Sequence, residues 1–178
     1  MLITIKLLTF FSIFKNNYHN LIIGDNMKKY KTLIISILIP NLLGLLSAII
    51  SQISTNINTF NKPSFTPPGI VFPIVWTILY ILMGISSYII YKEKNTIKTK
   101  ELLIYSIQLL VNFIWSIIFF RIKNFLLAFI LIIILLTLVI IMTIKFYKIN
   151  KTSAYLQIPY ILWLILATIL SYNVLLLN

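Results

Sequence analysis

Three tryptophans and the carboxamides Gln108 and Asn112 sit inside segments rich in Leu, Ile, Val and Phe, and their spacing is helical. Tyr105, Gln108, Asn112, Trp115 and Phe119 follow one another at intervals of three and four, along one side of an α-helix. An amide turned toward lipid leaves its donors and acceptor unpaired, so this stripe faces into a bundle. Two roles fit it equally: a hydrogen-bonded seam between helices, typically worth about 0.6 kcal/mol, or the wall of a small-molecule pocket. Trp76, Tyr80 and Gly84 form a second ladder of large and small residues, and Pro159, Trp163, Ala167 and Ser171 a third. Gly44 and Ala48 are a small-xxx-small pair that admits close approach of another helix. All three indoles lie well inside their segments, away from the interfaces where Trp often anchors. Two or three of them, with Tyr80 and Asn112, would line a flat, mostly apolar cavity suited to an extended π-system.

Ahead of Trp76 runs Lys62-Pro-Ser-Phe-Thr-Pro-Pro-Gly69, where Pro63, Pro67 and Pro68 fix the backbone and Pro73 follows in the first turns of a helix. This stretch reads either as a well-formed helix start or as a stiff lip over a cavity. Other chemistry is excluded by residue type. The chain has no Cys and one His, His19, and offers no Ser–His pair, HExxH or Walker loop. Hydrolases and metal enzymes are therefore out. No ionisable side chain falls in the middle of an apolar segment, which argues against a proton relay or voltage sensor.

The elements that position these residues follow from composition. Of 178 residues, 60% are hydrophobic and 10% charged, with mean hydropathy +1.02. A water-soluble domain is nearer 45–50% apolar and about 25% charged. Five apolar segments, 32–51, 69–91, 102–120, 125–144 and 155–177, are each close to the roughly 20 residues that cross a bilayer. Backbone groups in hydrocarbon must pair within their own segment, and no alternating strand pattern is present, so the fold class is an all-α bundle of five transmembrane helices.

The net charge of +12 then becomes a topological signal. Lys28, Lys29, Lys31, Lys92, Lys94, Lys98, Lys100, Lys145, Lys148 and Lys151 share one side of the membrane, against Lys62, Arg121 and Lys123 on the other. The positive-inside rule places the N-terminus and the Lys-rich loops in the cytoplasm and Asn178 outside. A bacterial cytoplasmic membrane is the expected location. Membrane lipid is an expected partner, and nucleic acid is not.

Residues 1–26 precede the membrane domain, 27–178, as an N-terminal extension. Two readings apply: an interfacial segment, or a mis-called start upstream of a true one at Met27. The second is favoured because Gly24-Asp25-Asn26 back-translates to a purine-rich run of the kind that precedes a bacterial start codon.

Taken together, 27–178 resembles the TspO/translocator proteins, also called tryptophan-rich sensory proteins or peripheral benzodiazepine receptors. Lys62–Gly69 is similar to that family's KPxWxPP signature, and Phe72–Tyr80 to its F-P-x-x-W-T-x-L-Y stretch. Gln108, Asn112, Trp115-Ser116 and Phe119-Phe120 resemble its third-helix motif; Pro159-Tyr160, Trp163, Ala167-Thr168 and Asn178 resemble the last helix. The resemblance implies a five-helix bundle, often a homodimer, that takes porphyrins such as protoporphyrin IX or haem, and benzodiazepine-type ligands. No cofactor is required; the porphyrin is the expected ligand. Trp76, Asn112, Trp163 and Ala167 would line the pocket, with Tyr80 and Trp115 close by and Pro67 and Pro68 at its rim. Tyr105 and Gln108 join this ligand-binding set from the stripe. Trp76 and Trp163 match tryptophans implicated in light- and oxygen-dependent porphyrin degradation, which makes them the candidate catalytic pair.

Two departures stand out. Phe65 replaces the signature Trp, removing an indole N–H, and the C-terminal residues lack the basic side chain of the proposed cholesterol motif. Three functions are in play: a tetrapyrrole sensor, carrier or scavenger; a photo-oxidative enzyme; and a stress-linked interaction protein for which the ligand is incidental.

Overall fold

A computed structural model describes residues 27, 29–52, 59–94 and 98–178. The N-terminal extension, His19 and Lys28 lie outside the described residues. The chain divides into two units, Met1–Ile35 and Ser36–Asn178. Five helices are long and apolar enough to cross a membrane, and among the described residues there is no strand. We label them α1 (Lys29–Ser51), α2 (Val71–Lys92), α3 (Lys98–Ser116), α4 (Phe125–Ile149) and α6 (Ile158–Leu177); a short α5 (Lys151–Tyr155) precedes the last.

Helix α4 is the packing core of the second unit, set against α3 and α6. Its apolar composition gives no polar face, but one ridge is sealed from surroundings: Ala128, Ile132, Leu135, Val139, Met142 and Phe146 are fully buried. Their alternating spacing of four and three is that of a helix seam packed between neighbours. The opposite faces of the bundle carry exposed Leu and Ile throughout, as a lipid-facing surface requires.

Helices α1, α3 and α4 extend past their apolar segments at the Lys-rich end. Helix α4 continues past Ile144 to Ile149 because Lys145 and Lys148 can carry their ammonium groups to the interface on aliphatic stems. Helix α3 starts at Lys98 rather than near Leu102, with Glu101 in its first turn, where a carboxylate suits the helix dipole. Glu101 is buried and pairs with Lys145 at 3.4 Å, tying α3 to α4. At its far end α3 widens into a π-helical stretch, Ile117–Ile122, that buries Ile118, Phe119 and Phe120 in succession. Lys123 then adopts left-handed φ, and Asn124 caps α4 by accepting from the Leu127 N–H.

The close approach of α1 to α2 falls at Gly84, not at Gly44 and Ala48. A Cβ on Gly84 would lie 2.5 Å from Ile37 Cα and 2.7 Å from the Ser36 carbonyl oxygen. That carbonyl has no helical donor four residues on, because Pro40 lacks an N–H. Gly44 serves a different purpose: it makes room for the ring of Tyr80. Gly84→Ala therefore drives a methyl into the α1 backbone and should cost roughly 1–3 kcal/mol, read as a lowered melting temperature in detergent. Gly69→Ala, where an added Cβ meets nothing within 4 Å, should stay within about 0.5 kcal/mol of the parent. Equal melting of the two variants would contradict this packing.

Candidate functional site

Between α1, α2, α3 and α6 lies a cavity of about 970 Å³, most of its lining apolar. Helix α2 contributes Phe72, Trp76, Thr77 and Tyr80; α3 contributes Asn112, Trp115 and Ser116; α6 contributes Trp163 and Ala167. The α1 side carries the small residues Gly44, Ser47 and Ala48 with aliphatic Leu45 and Ile49, and the carboxamides Asn41 and Gln52. All four elements reach the site through helical spacing, so one residue per turn faces inward.

The aromatic wall is ordered by ring contacts. Trp76 and Tyr80 lie 5.4 Å apart and 30° from parallel, making one broad face on α2. Phe72 meets Trp163 edge to face at 5.8 Å, joining α2 to α6. Trp115 lies against Phe119 at 5.2 Å and 31°, and Phe120 closes on its edge. Polar groups are few. Asn112 Nδ2 donates to the Tyr80 hydroxyl at 3.4 Å, and the Ser51 and Ser116 hydroxyls share a hydrogen bond at 3.1 Å. The indole N–H groups of Trp115 and Trp163 are buried with no protein acceptor. Buried indoles usually find a partner, so these two are donors in waiting.

Six of the ten residues anticipated for the ligand site line this cavity: Trp76, Tyr80, Asn112, Trp115, Trp163 and Ala167. Tyr105, Gln108, Pro67 and Pro68 are not part of its wall. The helical stripe on α3 does face inward, with all five members buried, but the cavity occupies only one end of it. Gln108 and Tyr105 fall one and two turns below Asn112, about 6 and 10 Å along the axis, where the helices close. There Gln108 accepts from the Tyr160 hydroxyl at 3.2 Å and directs its amide N–H toward Met83 Sδ at 3.8 Å. The stripe thus forms a seam below and part of the cavity wall above.

The lip is displaced by two residues. The Pro68 carbonyl accepts from the Val71 N–H at 2.9 Å, so the chain turns there, and Gly69 and Ile70 overhang the cavity. Phe65, at the position of the signature Trp, is 52% exposed and is not part of the wall. The lip is anchored by contacts that spacing does not announce. Asn61 N–H donates to Asn178 Oδ1 at 2.9 Å while Asn178 Nδ2 returns a bond to the Asn61 carbonyl at 3.0 Å. Phe60 packs on Phe119 and Phe125 at 5.5 and 5.4 Å. Arg121 donates to the carbonyl of Ile50 at 3.1 Å, holding the last turn of α1 beside the π-helical stretch. At the other end Ser86 and Ser153 exchange hydroxyl-to-carbonyl bonds of 2.9 Å, fixing α5 to α2.

Fold and site define a class: a multi-pass helical membrane protein with an internal, indole-walled cavity. The model of the TspO/MBR family matches residues 36–177, and the chain belongs to that family. It is 37% identical over 117 residues to the tryptophan-rich protein TspO of Archaeoglobus fulgidus, covering 66% of this chain and 76% of that protein. The TspO of Chlorobaculum tepidum is 33% identical over 123 residues, 67% of this chain and 77% of its own. Human translocator protein is 33% identical over 116 residues, with 64% and 69% covered.

The seam below the cavity makes its own prediction. Tyr160→Phe leaves the buried Gln108 carbonyl unpaired and should cost roughly 1–3 kcal/mol in a detergent unfolding assay. Adding Gln108→Leu should recover part of that loss, because the unpaired group goes with it. A double variant no more stable than Tyr160→Phe alone would mean that the bond does not hold the seam.

Proposed function

We propose that the protein binds a tetrapyrrole such as protoporphyrin IX or haem in this cavity and acts as its membrane sensor, carrier or scavenger. The observation that carries the reading is one cavity of about 970 Å³ that gathers all three indoles with Tyr80, Asn112 and Ala167. Small-molecule sites span roughly 300–1,000 Å³, and this volume, at the upper end, suits a large flat ring. The Trp76–Tyr80 face offers stacking area, Ala167 leaves space opposite the indole of its own helix, and the free Trp115 and Trp163 N–H groups suit ring carboxylates. The name of the human relative, translocator protein, agrees with carriage of a ligand.

A second reading has an observation of its own. Trp76 and Trp163 share the cavity wall, so in this reading an indole gives an electron to the light-excited porphyrin, and oxygen is the oxidant consumed as the ring is degraded. We place the Lys-rich ends of α2, α3 and α4 in the cytoplasm of a bacterial cell, on the charge asymmetry, and take the homodimer implied by family resemblance as the assembly.

Titration with protoporphyrin IX in nanodiscs should quench tryptophan fluorescence saturably. Trp163→Phe or Asn112→Ala should weaken binding by about 5- to 30-fold, the equivalent of losing ~1–2 kcal/mol. Quenching that never saturates would overturn the binding reading. Under light and air, loss of the porphyrin absorption band should slow in the Trp76→Phe/Trp163→Phe pair; bleaching at the parent rate would remove these indoles from the chemistry.

A further inference from the structure

At the Lys-rich end, away from the cavity, α4, α5 and α6 leave a second groove of about 260 Å³. It is lined by Thr143, Ile144, Tyr147 and Lys148 of α4, by Ala154 and Tyr155 of α5, and by Ile158 of α6. We propose that this groove binds one anionic phospholipid, with its phosphate at Lys148 and Lys151 and an acyl chain along Ile144 and Ile158.

The order of residues along the groove is the argument. Helix α4 runs toward the Lys-rich end and α6 runs back from it, so Ile144 and Ile158 both sit on the membrane side of the junction. Both are about half exposed, as is the pair above them, Tyr147 and Tyr155, whose rings meet edge to face at 6.1 Å. Tyrosines at this level suit the interface between headgroups and chains. Beyond them come the charges. Lys148 lines the groove, and the Lys151 ammonium lies 5.7 Å from the centroid of the Tyr147 ring. Apolar floor, tyrosine belt and ammonium pair therefore follow one another over about a turn and a half of helix, in the sequence that a phospholipid presents its own parts.

Charge complementarity selects the headgroup. No carboxylate lines the groove. Glu93, the acid nearest the α4–α5 junction, accepts a 2.8 Å bond from Asn150 Nδ2, and Glu101 is paired with Lys145. Lys148 in the groove wall and Lys151 over the Tyr147 ring are thus the cations beside the groove, and each basic residue near an anionic lipid surface favours it by about fivefold.

The test is native mass spectrometry of the full-length protein in one detergent. Phosphatidylglycerol and phosphatidylcholine with the same chains are offered in equal amounts. The single-lipid adduct should favour phosphatidylglycerol at least fivefold, and Lys148→Gln/Lys151→Gln should bring the ratio to near one. The corresponding Arg pair should retain it, as should Lys94→Gln/Lys100→Gln at the same end of the bundle. Melting temperature checks that each variant is folded. Equal retention of the two lipids by the parent would overturn the proposal. So would an equal loss in the Lys94/Lys100 pair, which would mean diffuse surface charge. Displacement of the lipid by inorganic phosphate at equal concentration would mark a free-anion site and overturn the lipid as occupant.

Discussion

Polar side chains carried into a bilayer favour partners inside the protein, and this constraint turns α2, α3 and α6 toward one another below the cavity. Gln108 is the clearest case. It is fully buried, bonded to Tyr160 on α6 and directed at Met83 on α2, so three helices are registered on one amide. Once α3 is turned to bury Gln108, helical spacing brings Asn112 and Trp115 to the same side one and two turns on. Ser86 with Ser153 and Glu101 with Lys145 repeat the device nearer the Lys-rich end. The bundle is therefore tight where its polar groups meet and opens beyond them.

The opening depends on how α1 is seated. Gly84 brings the α2 backbone against Ser36 and Ile37, and Gly44 yields its space to Tyr80. Farther along, α1 presents no ring to the interior: Gly44, Ser47 and Ala48 face the cavity among Asn41, Leu45, Ile49 and Gln52, while Leu38, Leu42 and Leu46 are exposed. Small side chains on one wall and broad rings on the others leave a gap wider than the protein can fill. Phe60 and the Asn61–Asn178 pair then fix the chain that leads to the lip.

The helices were legible because a bilayer leaves so few backbone solutions that apolar length alone marks a span. The inward stripe on α3 was legible too, since amides in apolar sequence have one tolerable direction. Depth along that stripe was not. Periodicity says which side Gln108 and Asn112 share, but only the packing of Met83 and Tyr160 decides which of them is sealed and which borders open space. The detail of the lip was not legible either: Pro67 and Pro68 mark rigidity, while the turn closed by the Pro68 carbonyl carries Gly69 and Ile70 over the cavity. Pro40 gives no local sign of its effect, which is to leave the Ser36 carbonyl beside Gly84 without a helical donor. The Asn61–Asn178 pair joins residues far apart in the chain, and no local pattern announces it.

The central claim is that the space left above the Gln108 seam is a seat for a flat ring. A structure determined with protoporphyrin IX bound tests it most directly. The account predicts ring density between Trp76 and Trp163, with Asn112 beneath it and the Gln108–Tyr160 bond intact. Density on the lipid-facing surface, or a ring that reaches Tyr105 only by breaking that seam, would contradict it.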